Sequence, residues 1–271
     1  MERIESIDDP RVAPYRNLRD RTLRGESIFV AEGRVLTRRL LESRYPAQSV
    51  FVSEHFADEF QGVVGGRAPL YVAPESLLLE VVGFKFHRGV LGVGCRSKLP
   101  SLDELTAPLD AAATWSLVVC PEITKPENLG LIFRSAGAFG VDAVLLGERC
   151  CDPFSRRCLR VSIGAVLQVP FTKSADLLAD LRRLKDRWGV ELMATVLDKQ
   201  AERLADVRWP SRIGILFGNE ADGLRQQWLA LCGRHVTIPM SPAADSLNLG
   251  VAAGIFVYEM KKATKGLDRP L

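Results

Sequence analysis

No apolar run in this 271-residue chain reaches the roughly 18–20 residues that a membrane-spanning helix needs, so no membrane association is expected. The opening ten residues carry early acids and no apolar core, so no secretory signal is read there and a cytoplasmic protein is expected. Histidine is scarce: His55, His87 and His235 are too dispersed to complete a recognisable ligand set. The six cysteines (Cys95, Cys120, Cys150, Cys151, Cys158 and Cys232) lack zinc-finger spacing, so reduced thiols and no metal site are expected. A GxGxxG turn is also missing, which leaves a standard Rossmann cofactor site unsupported. Excess charge is lacking too. The 36 Lys+Arg against 33 Asp+Glu leave +3, too little by itself to announce a nucleic-acid binder.

What is present is a soluble globular composition, 47% hydrophobic and 25% charged, in a chain long enough for two ordinary domains. A first block, 1–106, alternates strand-like runs at 27–30, 49–52, 70–72 and 90–93 with helix-like stretches at 32–42 and 76–81. This predicts a smaller α/β domain. Arginines crowd it at Arg11, Arg16, Arg19, Arg21 and Arg24, opposed in sequence only by Asp20, with Arg34, Arg38, Arg39 and Arg44 following. Such a cluster suits RNA phosphates. It also suits a solvated surface. Residues 107–114 read as a linker.

The second block, 115–265, predicts strands at 116–120, 142–146, 191–196, 213–217 and 236–238. Most are continuous apolar runs of the kind buried on both faces of a parallel sheet. Helices are predicted at 129–139, 174–186, 221–232 and 246–262, completing a βαβ pattern. Asn128 sits where an N-cap belongs and Gly140 where a left-handed C-terminal cap belongs. Leu129, Ile132, Phe133, Ala136 and Phe139 recur at helical spacing and should face the sheet, which turns Arg134 to another side. The last helix is apolar nearly all round and rich in small residues, which predicts burial with close backbone approach.

Three segments in this block mix glycines with polar residues beside apolar runs. They are Asn128-Leu-Gly130-Leu-Ile-Phe-Arg134, then Gly218-Asn-Glu220-Ala-Asp222-Gly223-Leu224, then Ile238-Pro-Met-Ser-Pro-Ala-Ala-Asp-Ser246-Leu247-Asn248-Leu-Gly250-Val-Ala-Ala-Gly254. The asparagine, arginine, glutamate, serine and asparagine they offer (Asn128, Arg134, Glu220, Ser246 and Asn248) form a palette with no histidine, cysteine or carboxylate pair, so zinc hydrolysis, thiol catalysis and glycosidase chemistry are poorly served. Loops of this kind at strand ends expose backbone N–H and C=O groups suited to a neutral heterocycle and a zwitterionic tail. Taken singly, Asn128 also reads as a cap, Arg134 as a surface residue and Glu220 as a turn residue. Only the ordered set is specific.

That set resembles the SpoU family of RNA ribose 2'-O-methyltransferases, also called the TrmH family, over roughly Trp115 to Lys265. The resemblance implies an α/β fold whose C-terminal parallel-sheet domain is tied in a SPOUT-type trefoil knot, a rare exception to ordinary topology. It implies S-adenosylmethionine as cofactor, held at Thr195, Val196, Gly218, Ile238 and Leu247. It also implies a catalytic set of Asn128, Arg134, Glu220, Ser246 and Asn248, in which Asn128 orients Arg134. Glu122 stands where the family more often shows Asp, and Lys125 where an acid is common; both bear on substrate choice.

A looser likeness to the family's substrate-binding domain rests on Ile7-Asp-Asp-Pro10-Arg-Val, Phe29-Val-Ala-Glu32-Gly33-Arg34 and His87-Arg-Gly89-Val90. Homodimers and an RNA substrate are implied, with large-subunit (23S) ribosomal RNA favoured over tRNA because of the appended N-terminal domain. The alternatives are a tRNA 2'-O-methyltransferase, a non-catalytic RNA-binding or ribosome-assembly protein on the same fold, and a knotted enzyme acting on a base nitrogen.

Overall fold

The computed structural model describes residues 1–18, 26–84, 88–241, 243 and 245–265. Arg19, Asp20, Arg21, Arg24 and His87 of the readings above lie outside them. The chain divides into two compact units, Met1–Lys98 with Phe154–Gln168, and Leu99–Pro153 with Val169–Leu271. Among the described residues no helix is long and apolar enough to cross a membrane.

The first unit holds β1 (Glu2–Arg3), β2 (Ile28–Glu32), β3 (Ala47–Ser53), β4 (Leu70–Ala73) and β5 (Val90–Cys95) in the order β1-β4-β3-β5-β2. Here β5 runs antiparallel to both neighbours, β2 and β3. Side chains of a strand alternate between faces. In β3, Val50 and Val52 pack with Phe60 and Val64, while Phe51 joins Tyr15, Leu78 and Val82. Helices α1 (Arg34–Leu41), α2 (Ala57–Val64) and α3 (Glu75–Val82) complete the layers.

The two units differ from the expected division at 106. Leu102 and Leu105 of α4 (Leu102–Thr106) are buried in the core of the second unit. Residues 107–114 are no linker: the Trp115 indole N–H donates to Leu109 O at 2.6 Å and the Trp188 N–H to Asp110 Oδ1 at 2.8 Å. In turn, 154–168 leaves the second block and folds with the first unit. There Phe154 stacks on Phe29, with ring centroids 5.0 Å apart. Arg156 donates to Glu32, which is 3% exposed, and to Leu18 O. Arg160 lies 3.7 Å from the same carboxylate.

Three of the described arginines of the first block are less free than their sequence neighbours suggest. Arg11 pairs with Asp9 and Glu2, while Arg34 and Arg38 pair with Glu59.

The second unit carries β6 (Trp115–Cys120), α5 (Pro126–Phe139), β7 (Ala143–Leu146), β8 (Phe171–Lys173), α7 (Leu177–Trp188), β9 (Glu191–Thr195), β10 (Glu202–Arg203), β11 (Arg212–Leu216), α8 (Gln226–Leu231), β12 (Arg234–Thr237) and α9 (Leu249–Lys265). The helix α6 (Arg156–Val161) between β7 and β8 is the one that folds with the first unit. The seven strands are all parallel, in the order β10-β12-β9-β11-β6-β7-β8. Every residue of β6 and β7 is buried, as two-sided burial requires. Short β8 and β10 escaped the pattern reading because three- and two-residue strands carry too little periodicity.

Helix bounds shift for identifiable reasons. Proline suits the first helical position because its φ is already fixed there and its missing N–H costs nothing. Accordingly α5 begins at Pro126, with Lys125 at the cap position. Asn128 is therefore inside the helix and not its N-cap. Gly140 closes it in the left-handed region at φ 67°, as expected. Against α5 lies α9. A Cβ on Gly250 would sit 2.5 Å from Leu131 Cβ, so only glycine permits this approach. The expectation of all-round burial for α9 fails on one side, where Val251, Ile255 and Tyr258 are 36–50% exposed.

Arg156→Ala leaves the buried Glu32 carboxylate to the more distant Arg160 and should cost on the order of 3 kcal/mol. The double replacement Glu32→Gln, Arg156→Met should recover much of that loss. Thermal unfolding of both variants checks it, and equal losses would show that the ion pair does not tie 154–168 to its unit.

Candidate active site

The loop after β11 is shaped by its glycines. Asn219 and Gly223 exchange two backbone hydrogen bonds, at 2.9 and 3.0 Å, closing a tight turn in which Gly223 takes φ 67°. A Cβ on Gly218 would lie 2.3 Å from the Gly223 carbonyl carbon, so backbone crosses backbone there. Asn219 Oδ1 accepts from Ala221 N at 2.9 Å, which holds 221–225 in the turn and delays α8 to Gln226.

This turn delivers Glu220 to the start of α5. Its carboxylate accepts from Thr124 N at 3.2 Å, Thr124 Oγ1 at 3.1 Å, Lys125 N at 3.0 Å and Asn128 Nδ2 at 3.1 Å. Backbone N–H groups at a helix start lack partners within the helix, and the helix dipole favours negative charge there. Glu220 meets both demands from 92–96 residues away.

Asn128, 4% exposed, passes the interaction on. A carboxylate only accepts, so the Asn128 amide must turn its NH2 to Glu220 and its oxygen to the far side. That oxygen accepts from Asn248 Nδ2 at 3.0 Å. Asn248 Oδ1 in turn accepts from Gly250 N at 2.9 Å and Val251 N at 3.3 Å, capping α9. One polar chain thus joins all three motifs.

Beside it opens a cavity of about 630 Å³. Asn128, Glu220, Ser246 and Asn248 line it, together with Thr195, Val196, Gly218, Ile238 and Leu247. That volume lies within the usual range for small-molecule sites. The walls are mixed: Leu224, Leu229, Met240, Leu249 and Phe256 supply apolar surface between the polar groups. Thr195 Oγ1 is turned to Leu216 O at 2.9 Å, fixing the end of β9 against β11.

Arg134 is the exception. It is exposed on α5 and does not line the cavity. Six helical residues from Asn128 correspond to a rise of about 9 Å and put the two on different sides of the helix. No hydrogen bond joins them, and the Asn128 amide is engaged by Glu220 and Asn248. The expectation that Asn128 orients Arg134 is corrected on that ground. Sequence reading missed Thr124 and Asn219, whose roles depend on partners in other motifs; the Asx turn around Asn219 was the available signal.

Desolvation works against the Glu220 charge, but hydrogen bonds from Lys125, Asn128 and Thr124 outweigh it and hold the carboxyl below its ordinary range. Burial pushes the Cys150 thiol up to about 11 and that of Cys151 to about 12, so both are neutral thiols at physiological pH. A depressed carboxyl contributes stability that is fully present above its unfolded pKa, about 4.3, and lost as the pH falls through its folded value. Glu220→Gln should therefore lower neutral-pH stability by about 1 kcal/mol or less, since one amide oxygen cannot serve four donors but water partly replaces it at this partly exposed site. It should also flatten the acid limb. Denaturant unfolding from pH 7 to 3 tests this, and identical acid slopes in the two proteins would refute the linkage.

Residues 116–258 match the model of the SpoU rRNA methylase family. An uncharacterized tRNA/rRNA methyltransferase of Mycobacterium bovis is 35% identical over 266 residues, covering 94% of this chain and 90% of the relative. The 23S rRNA (guanosine-2'-O-)-methyltransferase RlmB of Acinetobacter baylyi is 30% identical over 190 residues, covering 69% and 75%. In fold, the chain is similar to an AdoMet-bound rRNA methyltransferase of Sinorhizobium meliloti, with a TM-score of 0.81 at 24% identity over 96% of this chain and 97% of that one. With three motifs joined at one cavity and a family model spanning the domain that holds them, the chain belongs to the SpoU rRNA methylase family.

Proposed function

We propose that this chain binds S-adenosylmethionine in the cavity and methylates a ribose 2'-hydroxyl of a structured RNA, with large-subunit ribosomal RNA as the favoured substrate. The observation that carries this reading is the gathering of all three motifs at one cavity through the Glu220–Asn128–Asn248 chain. The name of the Acinetobacter relative supports the 2'-O position and the 23S substrate.

The donor set fits the cofactor. Gly218 brings bare backbone to the cavity, and Thr195, Val196, Ile238 and Leu247 add backbone and apolar contact suited to an adenosyl group. Bound there, S-adenosylmethionine supplies an electrophilic methyl group on a sulfonium sulfur. The residues of the chain do the rest. Among the described residues Arg134 has no ion-pair or hydrogen-bond partner, leaving its planar fork free for a phosphate beside the target ribose. A guanidinium with a pKa above about 12 is a poor base, so its role is to orient the 2'-hydroxyl, and orientation alone contributes on the order of 7–11 kcal/mol in favourable systems. Ser246, exposed on the cavity rim, offers a hydroxyl to the ribose. Glu220, Asn128 and Asn248 act through the helix starts they hold.

Two further parts belong to the same reading. The trefoil knot that the family resemblance implies belongs to this reading through the family match over 116–258. The exposed apolar stripe of Val251, Ile255 and Tyr258, at helical spacing on α9, supports a homodimer with a second copy packed there.

Transfer of labelled methyl to unmodified ribosomal RNA, followed by nucleoside analysis, should yield a 2'-O-methylated nucleoside. Arg134→Ala and Arg134→Lys should both abolish transfer while cofactor affinity by calorimetry changes less than about twofold. A methylated base, or label confined to tRNA, would overturn the substrate reading. Ile255→Glu should convert a dimer to a monomer in light scattering; a monomeric unmodified protein at micromolar concentration would remove the dimer.

A further inference from the structure

We propose that Arg149, Glu122 and Arg225 form a clamp for an RNA backbone phosphate beside the cavity. This rests on the RNA-methyltransferase reading and adds a contact that the three motifs do not contain. Glu122 follows β6, Arg149 follows β7 and Arg225 lies in the stretch after β11; these are three adjacent strands, β11-β6-β7, and all three residues lie past their carboxyl ends. Both arginines share one carboxylate oxygen. Arg225 Nη2 lies 2.8 Å from Glu122 Oε2, and Arg149 Nη1 lies 3.8 Å from the same atom.

Stability does not account for the arrangement. The arginine side chains are 48% and 62% exposed, and surface pairs of this kind contribute little to stability. Arg225 also breaks a local rule. It holds the N-cap position of α8 without making a side-chain cap, where Ser, Thr, Asp or Asn would satisfy a free N–H and where positive charge opposes the helix dipole. Residues that break a local rule without structural gain concentrate at functional sites.

The charges are placed for an anion. Two guanidinium groups around one carboxylate leave a local excess of one positive charge, and a guanidinium fork matches phosphate oxygens in pairs. Glu122 is the less exposed member, at 21%, and its carbonyl accepts from Asn219 Nδ2 at 3.3 Å. The clamp is thereby tied to the turn that carries Glu220. Lys125, three residues after Glu122, lines the cavity itself. A strand of RNA entering the cavity passes this edge, and a phosphate gripped here sets its position without reading its sequence. Glu122 holds the two arginines in place and lowers their attraction until a phosphate competes for them.

The test is binding of unmodified, transcribed large-subunit ribosomal RNA as a function of salt, with cofactor binding and thermal stability measured in parallel. Arg149→Ala and Arg225→Ala should each weaken RNA binding about five- to tenfold near 0.1 M salt and reduce the log–log salt slope by about 0.7–0.9. Glu122→Gln should act in the opposite direction, strengthening RNA binding about two- to fivefold because both forks are released. A merely structural tie predicts instead that Glu122→Gln and Arg225→Ala behave alike, with an unchanged salt slope. That result, with RNA binding by the unmodified protein intact, overturns the clamp alone. Absence of RNA binding by the unmodified protein overturns the clamp and the RNA reading together.

Discussion

Glu220 reaches across the second unit to the N-terminus of α5, and most of the site's geometry depends on the hydrogen bonds it accepts there. Four donors converge on its two oxygens. Because the carboxylate cannot donate, it dictates the Asn128 amide orientation, and that dictates the orientation of Asn248. Asn248 then caps α9. Two helix starts from distant parts of the chain are therefore satisfied by one connected set of side chains. The cavity forms where those starts meet the loops after β9, β11 and β12.

Close backbone contact is the second constraint. Gly218 allows one loop to cross itself, and Gly250 allows α9 to lie on α5 near Leu131. Lys261, 3% exposed, fastens the far end of the same helix pair by donating to Gly140 O at 2.7 Å and Ser116 Oγ at 3.0 Å. A buried ammonium must be fully engaged to be tolerated, so the pairing of α9 with α5 and β6 is specified at both ends. An exposed side of α9 keeps its apolar stripe of Val251, Ile255 and Tyr258, the last of which also packs edge-on against Phe139 of α5, which is why the helix looks buried all round when its sequence is read alone.

Charge behaves differently in the two units. Arg11, Arg34 and Arg38 are matched by acids that lie beside them only after folding. Arg156 and Arg160 neutralise a carboxylate that would otherwise be buried alone. Arginine density in sequence thus does not say which guanidinium groups gain an acidic partner on folding.

The sequence by itself determined the parallel sheet, because β6, β7, β9 and β11 are apolar runs long enough to be read without context. It determined the C-terminal end of α5 at Gly140, since a left-handed cap is a local property. It also singled out Asn128, Glu220, Ser246 and Asn248, which line one cavity, but it set beside them Arg134, which does not. Only the tertiary structure decided what those residues do. Asn128 reads as a local helix cap and is in fact the middle of a relay, because the partners that define its role lie 92 and 120 residues away. It likewise decided that 154–168 folds with the first unit and that 107–114 is no linker. Those outcomes turn on a buried carboxylate and two indole N–H groups finding partners, and a partner distant in sequence leaves no periodicity to read.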